Sequence, residues 1–245
     1  MPEAPSPRLG LILLDTRFPR PPGDLGRPDS YPLPVLTKVV EGAVPAEVVS
    51  DAARLDASPL AAQFVAAARD LAARGASAIT TSCGFLVLLQ ARLQASVPVP
   101  VLSSSLLALP ELLAREAAVG VLTISAERLG GDYLRAAGVP ASRMGDVWVQ
   151  GMPADSHFVQ AILGNLDALD ESRAAQEVLA AGLALKARAP ALRTLVLECT
   201  NLPPYAEALA QATGWRIVSL LQSKRLLAEQ VRALDWQTVW HGPSP

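Results

Sequence analysis

The sequence contains few of the residues from which disulfide frameworks and zinc sites are built. Only two cysteines, Cys83 and Cys199, and two histidines, His157 and His241, occur among its 245 residues. Two cysteines do not make a disulfide framework, and their wide separation matches no usual spacing of zinc ligands. We therefore expect two reduced thiols and no metal site.

An excess of charge of one sign is also absent, as are long hydrophobic runs. Lysine and arginine number 21 against 23 acidic residues, a net charge of -2, which favours neither nucleic acid nor an anionic membrane as a partner. No apolar run approaches the ~20 residues of a membrane span, and the N-terminus lacks the pattern of a signal peptide. We expect a cytoplasmic protein with a small-molecule ligand.

Aliphatic residues supply most of the apolar content, because apolar residues make up 51% of the chain and aromatic residues only 4%. Short β-type runs alternate with Ala/Leu-rich helical stretches, which is typical of an α/β fold with parallel sheets covered by helices. The predicted strands are Leu9–Leu14, Thr37–Val40, Ser77–Thr81, Val99–Leu102, Val119–Thr123, Asp146–Gln150, Thr194–Leu197 and Arg216–Ser219. The predicted helices begin near Pro59, Gly84, Ser104, Ala126, Asp155, Asp170, Pro203 and Ser223.

A weak internal repeat suggests two similar lobes. The runs LGLILLDT and VGVLTISA are both apolar strands that end in small hydroxyl or acidic residues, while AITTSCGFL and LVLECTNLP each lead from a strand through a cysteine. We predict a first lobe of residues 1–115 plus about 216–245, and a second lobe of about 116–215.

The segment Arg17–Pro34 interrupts the alternation of strands and helices. Its sequence RFPRPPGDLGRPDSYPLP is too rich in proline and glycine for a regular helix or a central strand. Such a long loop is either a surface excursion, or a lid or subunit contact at the strand end where ligands of α/β sheets bind. Within it, Arg17 either binds an anionic group or lies in solvent.

The two cysteines occupy matched places, each after a predicted strand and before a predicted helix. A lone free cysteine is most often a small buried hydrophobe. Two cysteines at sheet edges suit an enzyme that removes a proton from one face of a carbon and returns one to the other face. Helix N-termini there would lower the thiol pKa from about 8.5. The backbone N–H groups at these helix starts would also stabilise an enediolate. The N–H groups that are well placed to do so belong to Gly84, Phe85, Thr200 and Asn201.

The two cysteine motifs, TTSCGF and LECTNLPP, resemble those of the aspartate/glutamate racemase superfamily, which also includes hydantoin racemases, maleate isomerases and arylmalonate decarboxylases. The resemblance covers most of the chain, and the pattern Cys-Thr-x-x-Pro at Cys199–Pro203 is its most specific part. It implies two pseudo-symmetric Rossmann-like lobes with the active site in the cleft between them. It further implies a homodimer and catalysis without pyridoxal phosphate, metal or nucleotide.

The resemblance places Cys83 and Cys199 at the catalytic positions and Asp15 at the acidic residue that ends the first strand. Asp15 would orient a thiol or receive its proton, unless it is only a cap or turn residue. Thr123 and Thr200 resemble contacts to the substrate carboxylate, although a hydroxyl in such a place can instead cap a helix. The predicted substrate-binding residues are Ser82, Gly84, Phe85, Thr123, Thr200 and Asn201.

Two departures from glutamate racemases bear on the substrate. Gly84 and Phe85 stand where those enzymes have an Asn-Thr pair, and Asn201 stands in place of a histidine. We therefore expect a racemase or epimerase of a small amino-acid-like carboxylate that is larger or less polar than glutamate. The alternatives are a decarboxylase or cis/trans isomerase on the same scaffold, or a non-catalytic ligand-binding protein.

Overall fold

Two parallel four-stranded sheets form the framework of the protein. A computed structural model describes residues 7–50 and 52–222. The strands are β1 (Leu9–Leu14), β2 (Val35–Val40), β3 (Ala78–Thr81), β4 (Val101–Leu102), β5 (Val119–Thr123), β6 (Val147–Gly151), β7 (Thr194–Leu197) and β8 (Arg216–Val218). The first sheet has the strand order β2-β1-β3-β4 and the second β6-β5-β7-β8, so the α/β fold with two lobes is confirmed.

The helices of the described chain are α1 (Pro45–Val48), α2 (Ala52–Ala57), α3 (Pro59–Ala73), α4 (Gln90–Ser96), α5 (Leu109–Leu113), α6 (Gly131–Ala136), α7 (His157–Leu163), α8 (Glu171–Arg188) and α9 (Ala206–Thr213). Short 3₁₀ helices precede α4, α5 and α9. The predicted start near Ala126 is wrong, because residues 126–128 form only a turn and α6 begins at Gly131, after the extended Gly130; glycine disfavours helix. The start predicted near Ser223 lies outside the described residues.

The two lobes repeat the same packing of a helix on a central strand. A Cβ on Gly10 of β1 would lie 3.2 Å from Leu71 of α3, and a Cβ on Gly120 of β5 would lie 3.2 Å from Leu185 of α8. These are tight contacts in a close-packed interior, so glycine lets each helix pack against its strand. The internal repeat seen in the sequence therefore corresponds to a repeated packing arrangement.

The chain returns to the first lobe after β8. Residues of β8 pair with β7 in the second sheet, which corrects the prediction that the first lobe resumes at about residue 216. Beyond this strand, Leu220 is buried with Leu9, Leu11 and Leu25 of the first lobe. The strand stays with the second sheet because its backbone groups find their partners along β7. The part of the predicted return segment beyond Gln222 lies outside the described residues.

Helix α8 shows how the helices cover the sheets. Its buried residues are spaced three, four or one apart along 18 residues, as expected for one apolar face. Within residues 7–50 and 52–222, no helix combines the length and the apolar character needed to cross a membrane. In the same part of the chain, no group of three or more His, Cys, Asp or Glu side chains is arranged to hold a metal ion.

Phe64 of α3 is fully buried in the main core. We expect Phe64→Ala to lower the free energy of unfolding by about 3–5 kcal/mol, because it removes apolar contacts and leaves a cavity. Urea denaturation measures this change. The control Leu183→Ala, at a side chain that is 43% exposed on α8, should stay within about 0.5 kcal/mol of the wild type. Equal losses in both variants would contradict this description of the core.

Candidate active site

The two cysteines line one narrow cavity between the lobes. Cys83 follows the carboxyl end of β3 by two residues, and Cys199 follows that of β7 by two residues. Both side chains are buried and both line a cavity with a free volume of ≈ 20 Å³, which is room for one or two water molecules. Equivalent strands of the two sheets thus place both thiols against the same small space.

Cys83 lies at the start of a 3₁₀ helix, Gly84–Leu89. Burial raises the pKa of its thiol to about 12, and the neighbouring Glu198 carboxyl acts in the same direction. Backbone N–H groups of Phe85 and Leu86 lower the pKa, as does the charge of Arg20, but by less than burial raises it. Desolvation therefore outweighs the expected effect of the helix N-terminus.

Cys199 is subject to the same balance. Burial is the main cause of its raised pKa, followed by the charge of Glu198, while the backbone N–H of Asn201 lowers it. Its sulfur also donates to Oδ1 of Asn201 at 3.6 Å. The prediction of lowered thiol pKa values is thus wrong for this narrow cavity, because burial raises both pKa values and favours the neutral thiols at rest.

Seven of the nine predicted site residues line the cavity, and Asp15 and Thr123 do not. The hydroxyl of Thr200 donates to the backbone carbonyl of Ser82 at 2.6 Å, so the two cysteine motifs are hydrogen-bonded to each other across the cleft. The hydroxyl of Thr123 donates to Oε2 of Glu198 at 2.6 Å. The cavity-lining members of the predicted set are Ser82, Cys83, Gly84, Phe85, Cys199, Thr200 and Asn201.

Asp15 stabilises a turn beside the first sheet. Its Oδ2 accepts a hydrogen bond from the backbone N–H of Gly42 at 3.0 Å, and Gly42 has a positive φ of 75°, which glycine adopts readily. Its backbone carbonyl accepts from Nδ2 of Asn165 at 3.2 Å. These contacts match the turn role considered for this residue, and a catalytic role stays a prediction.

The Arg17–Pro34 loop lies over the cavity. Phe18 and Arg20 contribute to the cavity wall, and the backbone N–H of Leu25 donates to the carbonyl of Thr200 at 3.1 Å. Arg17 is exposed, so the cation at the cavity is Arg20, which the sequence analysis did not single out. Its guanidinium lies 4.6 Å from the centre of the Phe18 ring.

A buried ion pair joins this loop to the second cysteine motif. Oδ1 of Asp24 accepts from Nη1 of Arg20 and from the backbone N–H of Gly26, both at 2.7 Å. Oδ2 of Asp24 accepts from Nδ2 of Asn201 at 2.7 Å. Because Asn201 also accepts from Cys199, a continuous polar chain runs from the loop to a thiol.

Glu198 is the site residue that the sequence analysis missed most clearly. Its side chain is 1% exposed, lines the cavity, and has a pKa that burial raises to about 7. Its Oε1 has no hydrogen-bond partner among residues 7–50 and 52–222. The signal was present in LVLECTNLP, since a charged residue that continues a buried apolar strand is unusual.

Comparison with known proteins gives a match to one family model and to several curated proteins. The family model described as Asp/Glu/Hydantoin racemase matches residues 43–230. Dimethylsulfoniopropionate lyase 5 of Emiliania huxleyi is 31% identical over 84% of this chain and 42% of its own length. A dimethylsulfoniopropionate lyase of Durusdinium sp. clade D is 26% identical over 96% of this chain and 80% of its own length. The chain therefore spans less than half of the first of these relatives.

Solved structures share the two-lobed fold. Allantoin racemase from Klebsiella pneumoniae superposes with a TM-score of 0.58 and 12% identity, covering 94% of this chain and 89% of the other. Unliganded arylmalonate decarboxylase gives a TM-score of 0.51 and 18% identity, with 87% of each chain covered. At these identities the likeness concerns the fold alone.

The Arg20–Asp24 pair should matter more to stability than the exposed ion pair on the same loop. Side chains of Arg20 and Asp24 are 11% and 1% exposed, so Asp24→Ala leaves a buried cation unpaired and should lower the free energy of unfolding by about 3–5 kcal/mol. Asp29→Ala removes the exposed partner of Arg27 and should cause no resolvable change. Urea denaturation and trypsin cleavage within the loop measure both effects. A stable, protease-resistant Asp24→Ala protein would contradict this role.

Burial of Glu198 should also make stability depend on pH. Its pKa rises from 4.5 to about 7 on folding, so the folded chain holds this proton more tightly than the unfolded chain. The resulting stabilisation is complete below about pH 4.5 and is lost as the pH rises to about 7, by roughly 3 kcal/mol. Between pH 4 and 8, the free energy of unfolding of the wild type should fall by this amount relative to that of Glu198→Gln. Free energies that depend on pH in the same way in both proteins would contradict the role of Glu198.

Proposed function

Because the chain belongs to the Asp/Glu/hydantoin racemase family, we propose that it is a cofactor-independent enzyme that moves protons at the carbon next to a carboxylate. The observation that carries this proposal is the pair of cysteines from equivalent strand ends that line one cavity. A pair of acid–base groups is what racemisation or epimerisation requires. The proposed substrate is a small amino-acid-like carboxylate.

Proton transfer would run between the two sulfur atoms and the substrate. The thiolate of one cysteine takes the α-proton, and the electron pair of the broken C–H bond spreads into the carboxylate as an enediolate. The thiol of the other cysteine then delivers its proton to the opposite face of the carbon. One thiol and one thiolate remain with their roles exchanged, so Cys83 and Cys199 would serve opposite enantiomers.

Backbone donors beside both sulfur atoms suit a negatively charged intermediate. The N–H groups of Phe85 and Leu86 point at Cys83, and that of Asn201 points at Cys199. Such fixed donors stabilise an oxyanion strongly where water is excluded. Arg20, which is paired with Asp24, also contributes to the cavity wall.

The small volume of the cavity favours a small substrate and requires the covering loop to move before a substrate can bind. A free volume of ≈ 20 Å³ is too small for an amino acid, so the Arg17–Pro34 loop that covers it would have to open. Phe85 forms an apolar part of the wall and packs edge-on against Tyr133, with ring centroids 4.8 Å apart. The side chain of the substrate would meet this aromatic wall.

A second candidate is β-elimination from a sulfonium carboxylate, which the names of the curated relatives favour. Removal of the α-proton of dimethylsulfoniopropionate would form the C=C bond of acrylate, and the electron pair of the C–S bond would leave with dimethyl sulfide. This reaction starts with the same proton abstraction but needs only one thiolate. Decarboxylation would instead release carbon dioxide.

The test is incubation in deuterated water with aspartate, glutamate, hydantoins, other amino acids and dimethylsulfoniopropionate. A racemase exchanges the α-proton for deuterium while it interconverts enantiomers, which NMR and chiral chromatography measure. Cys83→Ser and Cys199→Ser should each lower this rate at least about 100-fold, because an acid–base group is lost. Asp29→Ala, on the exposed part of the loop, should keep the wild-type rate.

Other outcomes identify the other reactions. Release of dimethyl sulfide with acrylate would establish the elimination, and release of carbon dioxide would establish a decarboxylase. A cysteine variant that racemises at the wild-type rate would overturn the two-thiol assignment. Binding of these compounds without exchange or turnover would identify a ligand-binding protein.

A further inference from the structure

We propose that Glu198 is a further catalytic residue, which acts as a neutral acid and donates a hydrogen bond from Oε1 to the oxyanion that forms on the substrate carboxylate. The inference rests on the proposed function, since this oxyanion exists only if an α-proton is removed. Nothing in the sequence motifs assigns Glu198 such a role.

Glu198 belongs to the second cysteine motif and contacts the first one. It directly precedes Cys199 in the chain, and its side chain reaches across to the residue that directly follows Cys83. A Cβ on Gly84 would overlap both the backbone carbonyl and Oε1 of Glu198. Glycine at position 84 therefore leaves the space that the buried carboxyl occupies, which gives a physical reason for the absence of a polar side chain there.

The hydrogen bonds of Glu198 indicate which of its oxygens carries the proton. Thr123 donates to Oε2 at 2.6 Å, so the proton of the neutral acid belongs on Oε1. That oxygen is buried and has no partner among the described residues. A buried polar atom without a partner is costly in a resting protein, and an incoming substrate oxygen would supply the missing partner.

Burial favours the neutral form of Glu198 and outweighs the hydrogen bond from Thr123, which favours the ionised form. The titratable or charged side chains nearby are Cys83, Cys199 and the Arg20–Asp24 pair of the covering loop. An ionised Glu198 raises the pKa of both thiols, and it would also repel the enediolate. A thiolate and an oxyanion can therefore form together in this cavity only when Glu198 is protonated.

Proton balance is consistent with this role. If a thiol gives its proton to the Glu198 carboxylate, a thiolate and a neutral acid result with no change in the charge of the cavity. That thiolate then abstracts the α-proton while Glu198 keeps its own proton and only hydrogen-bonds the oxyanion. A neutral carboxylic acid in an apolar site is a known kind of oxyanion donor.

Two substitutions separate a hydrogen-bond donor from a group that must give up its proton. Glu198→Gln keeps a neutral donor beside Gly84 and an oxygen that accepts from Thr123, so kcat/KM for deuterium exchange should fall by less than about tenfold. Glu198→Met keeps the length and removes the donor, so kcat/KM should fall about 100- to 1000-fold. The wild-type rate should rise with pH and level off above about pH 7, where Glu198 ionises, whereas the rate of the Gln variant should continue to rise.

Glu116→Gln is the matched control. Glu116 also accepts from a threonine hydroxyl, that of Thr194 at 2.8 Å, and its Oε2 is likewise buried without a partner among the described residues. It does not line the cavity, so its substitution should leave kcat/KM and the pH profile unchanged. Urea denaturation of all three variants establishes that they are folded.

Two activity results would overturn the proposal. A Glu198→Met protein as active as Glu198→Gln would mean that no donor is needed. A Glu198→Gln protein as inactive as Glu198→Met would mean that Glu198 must transfer its proton. Failure of the two-thiol function is distinguishable, because it would instead appear as wild-type activity in the Cys83→Ser or Cys199→Ser protein.

A measurement without substrate tests the protonation state separately. In protein labelled with ¹³C at glutamate carboxyls, the resonance that is lost in Glu198→Gln identifies this residue, and its titration gives its pKa. We expect titration near pH 7. A resonance that titrates with the ordinary glutamate pKa of about 4.3 would overturn the proposal whatever the substrate is.

Discussion

Exclusion of water from the cleft between the lobes is the constraint on which the chemistry of this protein depends. Two thiols and one carboxyl share a cavity of ≈ 20 Å³, and burial is the largest cause of the raised pKa of each group. In such surroundings the neutral forms are favoured at rest. The same low polarity strengthens every hydrogen bond that would later meet a negative charge.

The covering loop connects this narrow cavity to the rest of the fold. Its buried Arg20–Asp24 pair is hydrogen-bonded to Asn201, two residues after Cys199. The loop therefore cannot move away without exposing or unpairing charged groups. A buried ion pair contributes little net stability, but removal of one partner is expensive. These contacts therefore hold the loop in one position, and opening of the loop would expose its charged groups to water.

Strand prediction succeeded where pattern and tertiary burial agree. All eight predicted strands occur. The apolar runs of the inner strands β1, β3, β5 and β7 are almost wholly buried, as expected in a parallel sheet, whereas the edge strands β2, β6 and β8 are only partly buried. Helix starts were less secure, as α6 shows, because the helix begins only at Gly131, after the extended Gly130. The catalytic role expected for Asp15 came from the resemblance to the racemase superfamily, and in the structure its carboxylate contacts the turn at Gly42. A strand end specifies the edge of a sheet but not which way the following side chain points.

The sequence by itself determined the α/β class, the repeated halves and the matched positions of the two cysteines after apolar strands, because these follow from local periodicity and matched motifs. Only the tertiary structure decided that Arg20 and not Arg17 lines the cavity, that β8 belongs to the second sheet, and that Glu198 lies against Gly84. Each of these depends on contacts between residues that are far apart in the chain. The thiol pKa direction changed for the same reason, since desolvation depends on all the groups that surround the sulfur and not on the helix that follows it.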